Sequence, residues 1–410
     1  MRRGAFIGRL AVNALLVLLS LTAALVAAEV ILHLLNPGRS LPTSTLFYEH
    51  DNLLGWRKIP NKEGVLVQPE YAVHKKINSK GLRGREYSYE RPSSGIFRVL
   101  CLGDSYCEGY AVELRDLFTE RLENLLNART NGWRYEVING GTGGYSTDQE
   151  LLFFETEGHK YRPDLVILLF YYNDVVVNTM PTYWGAQKPM FRLQGGKLRL
   201  TNVPVPKVTK RAASAQSIGQ WLSSNSRIYS FLADRFGWML HAWFGSASSQ
   251  KMPPSYREFI VFQSSPSADT RRAWEVTEAL LRRLKRDVAS TGAQLVVFRV
   301  PFKATIYRDE FRSLERRWHV PEELCDPDRP RKDLTAVCRR LSIPLIDPQK
   351  RFEGRAEALS ARGKRLYFKL DDHWNKEGNE LVADILYEYI IRHQASGSGG
   401  LAKRRTSPPS

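Results

Sequence analysis

VLCLGDSYCEGYAV, residues 99–112, carries an apolar strand straight into Gly103, Asp104 and Ser105 and meets another glycine within a few residues. A plain strand-to-helix turn needs one glycine and no special serine. Two things must then be sought in the rest of the chain: strands alternating with helices, and partners for Ser105.

The alternation is regular from Phe97 onward. FRVLCLG reads as a buried strand, followed by the helical LRDLFTERLENLLNA. YEVINGG and the helix STDQELLFFETEGHK come next, then PDLVILLFYY, apolar throughout and so covered on both faces. TRRAWEVTEALLRRLKRDVAST is an amphipathic helix stopped by Gly292. AQLVVFRVP is a fourth strand, IPLID a fifth after the helix KDLTAVCRRL, and NKEGNELVADILYEYIIRH a last helix. Strands separated by helices of this length predict a parallel sheet between two helix layers.

Four regions stand outside this rhythm. Residues 1–35 hold three arginines in MRRGAFIGR and then an uncharged run from Leu10 to Ala28, 19 residues against the ~20 that span a bilayer. The run reads as an uncleaved membrane anchor with the bulk of the chain outside the cytoplasm. A cleaved signal peptide ending at VAA and a twin-arginine signal on Arg2-Arg3 are the rival readings. Residues 36–97, rich in Pro, Gly and charge, read as an extended arm linking anchor to domain, either free or wrapped around it. Residues 180–268, with Trp184, Trp221, Trp238 and Trp243, read as an insertion: a small helical subdomain or a lid. Residues 394–410, QASGSGGLAKRRTSPPS, are compositionally disordered.

The chain has 410 residues, 43% hydrophobic, enough for one large domain or two modest ones. Its net charge of +17 is spread over the whole length without interleaved aromatics, which speaks against nucleic acid. Anionic lipid head groups, an anionic polysaccharide or plain solvation of a basic surface fit it better. Cys325 and Cys338 could form a disulfide, whereas Cys101 and Cys107 read as packing residues.

In a parallel sheet, ligands sit beyond the carboxyl ends of the strands. Ser105 follows the first strand, Gly144 the second and Asn173 the third, while Asp371 and His373 precede the last helix. A serine hydroxyl needs a base, and histidine acts as one near neutral pH. A carboxylate on the other ring nitrogen fixes the tautomer. The backbone N–H groups of Ser105 and Gly144 and the Asn173 amide can receive the negative charge of an attacked carbonyl. Taken singly, each is also a cap or a turn; together and in order they indicate catalysis. Lys303 follows the fourth strand and either faces the pocket or lies on the surface. His50, His74, His159, His241 and His319 have no metal-ligand spacing, and no cofactor is implied.

GDSYCEG, NGGTGGYS, YYND and DDHWN resemble the four blocks of the SGNH (GDSL-type) hydrolases, over residues 97–179 and 269–393. The resemblance implies Ser105 as nucleophile, His373 as base, Asp371 as its carboxylate, and Ser105, Gly144 and Asn173 as the oxyanion hole. Three positions depart from the pattern. Tyr106 replaces the leucine of Gly-Asp-Ser-Leu, Tyr171 stands where the third block opens with glycine, and Leu370 stands three residues before His373. The last leaves Asp371 as partner, with Asp372 as fallback. The expected fold is a three-layer α/β/α domain with a parallel, flavodoxin-like sheet over residues 98–393, an N-terminal transmembrane helix and the inserted subdomain. The expected activity is a serine esterase acting outside the cytoplasm on an ester-bearing substrate, an acylated glycan or a lipid-like ester. An O-acyltransferase modifying a cell-envelope polysaccharide is the alternative, suggested by the Asp-x-His-Trp wording. A non-catalytic envelope protein that binds glycan or lipid is the third reading.

Overall fold

The computed structural model describes residues 2–35, 47–91, 95–129, 132–207, 226, 228, 258–318 and 322–395. It divides into two compact units, residues 1–41 with 208–251 and residues 42–207 with 252–410.

The smaller unit is built on α1 (Arg2–Leu35). Its described side chains are largely apolar and exposed, Val17 and Leu18 among them. The Glu29 carboxylate accepts from the Ser226 hydroxyl at 2.9 Å and from the Ile228 N–H at 3.1 Å. Among the described residues no helix is long and apolar enough to cross a membrane. The side chains of Leu10, Ala11 and Ala14 fall outside the described ones. The expected transmembrane helix therefore gains no support from the fold. Trp221, Trp238 and Trp243 of the expected insertion also lie outside the described residues.

The larger unit opens with two antiparallel hairpins, β1 (Tyr48–Asp51) with β2 (Gly55–Lys58) and β3 (Glu63–Gln68) with β4 (Tyr71–Lys76). The arm expected to run extended thus folds back on itself. β5 (Ile96–Gly103), β6 (Arg134–Asn139) and β7 (Leu165–Phe170) follow. Two small hairpins come next, β8 (Thr182–Tyr183) with β9 (Ala186–Gln187) and β10 (Met190–Gln194) with β11 (Lys197–Thr201). β12 (Gln294–Arg299) and β13 (Leu345–Ile346) complete the strands. The central sheet has the order β13-β12-β7-β5-β6 and is parallel throughout. This is the flavodoxin-like order, whose switch point lies between β5 and β7.

The helices between these strands are α2 (Ser105–Glu108), α3 (Phe118–Asn127), α4 (Thr147–Thr156) and α5 (Asp174–Val177). They continue with α6 (Ala268–Ser290), α7 (Lys303–Ile306), α8 (Arg308–Trp318), α9 (Arg329–Leu341), α10 (Gln349–Ser360) and α11 (Lys376–Ala395). All eight residues of β5 and all six of β7 are buried, as strands covered on both faces must be. α6 begins where the Ser267 hydroxyl accepts from the Thr270 N–H, and it lays Leu280, Leu281, Leu284 and Val288 on the core. Each such side chain contributes roughly 1.5–3 kcal/mol on leaving water.

Residues 182–201 are β-hairpins where a helical subdomain was expected. Trp184-Gly185 and Gly195-Gly196 include positive φ angles, which close tight hairpin turns and break any helix. The four cysteines are free thiols, so Cys325 and Cys338 are not bonded. Cys338 is buried within α9, while Cys325 makes an isolated bridge with Gln263. Residues 394 and 395 of the expected tail belong to α11, and 396–410 lie outside the described residues.

Candidate active site

Ser105 starts α2 immediately beyond β5. Gly103 makes the bend possible, because a β-carbon there would stand 2.7 Å from that of Cys107 and 3.0 Å from that of Leu169. Asp104 caps the short helix, its carboxylate accepting from the Tyr106 N–H at 2.9 Å. Burial pushes the Asp104 carboxyl up to about 6, against the pull of that N–H and of His373.

The Ser105 hydroxyl lies 2.7 Å from His373 Nε2, and His373 Nδ1 lies 2.5 Å from Asp371 Oδ1. The Asp371 carboxylate also accepts from its neighbour's backbone, the His373 N–H, at 2.8 Å. Two residues of separation are enough because the chain turns tightly here. Asp372 instead has an exposed carboxylate, and its carbonyl accepts from the Tyr106 hydroxyl at 2.6 Å. Burial opposes charge on both members of the His–Asp pair. Their mutual hydrogen bond outweighs it, raising the imidazole above its ordinary value and holding Asp371 well below its own. The ring is flanked by Tyr106 at 5.0 Å and by Tyr110, stacked at 5.4 Å. Tyr106 in turn packs on Tyr171 at 4.9 Å and on Trp374 at 4.7 Å. The two tyrosines that depart from the family pattern are therefore in contact with each other.

Asn173 follows β7, next to β5 in the sheet, and Gly144 lies in the loop after β6, on the other side. Gly144 has φ +75°, and a β-carbon on it would meet Trp184 at 3.0 Å and Trp56 at 3.3 Å. The Asn173 side-chain amide donates to the Tyr183 hydroxyl at 3.1 Å, so one of its two hydrogens remains for another acceptor. Glu258 meets the same tyrosine hydroxyl.

Much of what fastens these loops comes from the arm, to which the sequence reading assigned no role in the site. The Tyr71 hydroxyl donates to Asp371 Oδ2 at 2.8 Å. The Glu70 carboxylate accepts the backbone N–H groups of Lys369, Leu370 and Asp371 at 2.7, 2.6 and 3.0 Å. Glu108, at the end of α2 and fully buried, accepts from Lys75 Nζ at 2.9 Å, the Tyr48 hydroxyl at 2.6 Å and the Gly143 N–H at 2.7 Å. Burial alone would raise Glu108, but Lys75, Lys58 and the Tyr48 hydroxyl hold it at about 2. Lys58 Nζ donates to the Gly141 carbonyl and to Thr142 Oγ1, and burial lowers it to about 8. Arg83 donates to the carbonyls of Gly109 and Val112. One sequence signal was available. β4 alternates, with Val73 and Lys75 on the buried face, and a lysine at an inward position requires an acidic partner.

Lys303 is buried beside the Asp-His loop, donating to the Lys369 carbonyl at 2.8 Å and pairing with Glu310 at 3.3 Å. It is therefore not a surface lysine, and its ammonium is taken up by the loop carbonyl and Glu310.

Residues 259–408 match the family model described as SGNH hydrolase-like domain, acetyltransferase AlgX. Over those residues the chain is similar to an SGNH hydrolase-like domain. The chain is also similar to solved structures. One is the acetyl xylan esterase AlAXEase, at 13% identity and a TM-score of 0.38, over 72% of this chain and 100% of that one. A catalytic mutant of the acetylxylan esterase Axe2 from Geobacillus stearothermophilus has 12% identity and a TM-score of 0.38, over 72% and 94%. The lipase/acylhydrolase from Enterococcus faecalis has 11% identity and a TM-score of 0.35, over 72% and 96%. No curated protein matches the chain by sequence. The protein is an enzyme of the ester hydrolase or acyltransferase kind.

Proposed function

We propose that the protein is a serine esterase that removes an O-acyl group from a glycan through an acyl-Ser105 intermediate. The observation that carries the reading is the line of hydrogen bonds from Ser105 through His373 to Asp371. His373 Nε2 takes the hydroxyl proton as Ser105 Oγ attacks the ester carbonyl, and Asp371 stabilises the imidazolium. The oxyanion accepts hydrogen bonds from the Ser105 and Gly144 N–H groups and from the free Asn173 amide hydrogen. His373 then returns the proton to the departing alkoxide, and water attacks the acyl-serine with the same residue as base.

A second reading is favoured by the matched domain, whose description names an acetyltransferase. In it a sugar hydroxyl replaces water in the second half, so that the acyl group moves to a glycan. Labelling with a fluorophosphonate tests the shared first half. The native chain should label and Ser105→Ala should not; equal labelling of both refutes it. Product analysis with an acetyl donor and an oligosaccharide acceptor then divides the two, since acetate in water means hydrolysis and acetyl-sugar means transfer.

The same proposal has the enzyme working outside the cytoplasm, tethered by α1. Its support is the arginine cluster, the uncharged run from Leu10 to Ala28 and the exposed apolar side chains of the helix. Retention of the full chain in alkaline-washed membranes is the expected result, and release into the soluble fraction counts against it.

A further inference from the structure

Trp184 stands out on two independent grounds. It is 59% exposed, in a unit whose other aromatic side chains near the site are covered. It also has φ +49°, followed by Gly185 at φ +78°, so the two residues joining β8 to β9 form a turn with both central φ angles positive. Such turns favour Asn-Gly, and a bulky indole in the left-handed region is an outlier that persists only where something retains it. Strain of this kind gathers at binding and catalytic positions.

Its surroundings say what the indole is for. The ring lies parallel to Tyr183, with centroids 5.1 Å apart and planes at 19°. The Tyr183 hydroxyl is held by the Asn173 amide, and the indole edge rests against Gly144. The same aromatic pair is thus tied to both loops proposed to receive the oxyanion, while the Trp184 side chain stays largely in solvent. The rim of the hairpin is polar, with the Asn202 amide donating to Gln187 Oε1 at 3.4 Å and to the Lys188 carbonyl at 2.6 Å.

We infer that Trp184 is the platform of a sugar subsite, its exposed face taking the apolar face of a pyranose ring in the ester-bearing glycan. This rests on the acyl-enzyme reading above and assigns the residue that holds its glycan. A pyranose presents a flat face of C–H groups with hydroxyls around the edge, which suits one flat aromatic surface with a polar rim. An alkyl chain gains most where it is enclosed on several sides. A rigid aromatic held in place before binding loses little conformational freedom when the sugar arrives.

The test uses the full chain carrying Ser105→Ala, titrated calorimetrically with xylohexaose, with hexagalacturonate and with sodium decanoate. At least one hexasaccharide binds, and adding Trp184→Asn weakens it tenfold or more. Trp184→Tyr, which keeps a ring, loses no more than about threefold. Trp184→Asn also builds the pair that the turn prefers, so its melting temperature stays at or above that of the parent. Four results overturn the inference: neither hexasaccharide binds; Trp184→Asn leaves the sugar affinity unchanged; decanoate alone shows a Trp184-dependent affinity; or Trp184→Asn melts lower as it loses sugar, which makes the indole a packing residue. Fluorophosphonate labelling at Ser105 is read separately. Labelling without a sugar effect sinks the platform alone, whereas a sugar effect without labelling sinks the acyl-enzyme reading and leaves the platform.

Discussion

His373 is pulled in two directions: burial disfavours its charge, and Asp371, with Asp104 and Asp372 farther off, favours it. The second influence wins, so the imidazole keeps its proton to a pH above the ordinary 6.5. A base must be neutral to accept the Ser105 proton. kcat/KM should therefore fall as pH drops through an inflection above 6.5. Asp371→Asn removes the largest upward influence and the tautomer lock together. It should lower kcat by roughly 10⁴-fold and move the inflection to lower pH, both read from a pH–rate profile on a chromogenic acetyl ester. An inflection that stays in place in the variant would mean that another group titrates there.

The arm hairpins act as fasteners for loops that the sheet alone leaves loose. β4 and the turn before it hold the Asp-His segment through Tyr71 and Glu70, and β2 and β4 hold the loops after β5 and β6 through Lys58 and Lys75. Tyr71→Phe deletes one hydrogen bond to a charged group, worth about 1.5 kcal/mol, so kcat should fall about tenfold with KM little changed. Lys75→Met strands Glu108 in the interior, and its cost should be about 3 kcal/mol in denaturant unfolding at pH 7. The depressed carboxyl of Glu108 contributes stability that is complete above its unfolded value near 4.5 and is lost as pH falls towards 2. Without Lys75 the carboxyl protonates earlier, so acid unfolding followed by circular dichroism should begin at higher pH.

At the scale of the molecule, the carboxyl edge of the sheet buries more acid than the mechanism uses. Glu150 has both carboxylate oxygens buried without a partner, and Asp174 has one. Burial pushes both well above the usual carboxylate range, joined at Glu150 by Asp174, Asp104 and Asp148 and at Asp174 by Asp104 and Asp148. Asp148 differs from them in being paired with the buried Lys188. For an acid with a raised folded value, the folded state keeps its proton after the unfolded chain has lost its own. Stability then declines as pH rises above about 4. Glu150→Gln removes one such group, so its melting temperature should exceed that of the parent by more at pH 8 than at pH 5, at roughly 2–4 °C per kcal/mol. Equal differences at the two pH values would show that Glu150 is already ionised in the folded state.

β5, β6, β7 and β12 and the helices α3, α4, α6, α9 and α11 were legible as apolar or amphipathic runs, and β13 only as the short IPLID after a helix, whereas α8 and α10 were not read from the sequence. Ser105, Asp371 and His373, which hydrogen bonds join in the structure, were legible because each stands just after a strand or just before a helix. Tyr71, Glu70, Lys58, Lys75 and Arg83 were not. A charged or phenolic side chain in a Pro- and Gly-rich stretch looks solvated until the group that neutralises it is found, and those groups lie as many as 300 residues away in the chain. The hairpin carrying Trp184 was hidden for a related reason, since two-residue strands are too short to show a period. The chain alone therefore determined the sheet, its connections and the chemical types at its edge. Only the tertiary structure decided which charges turn inward and which ring remains in water, because burial belongs to the pairing of distant segments and not to any one of them.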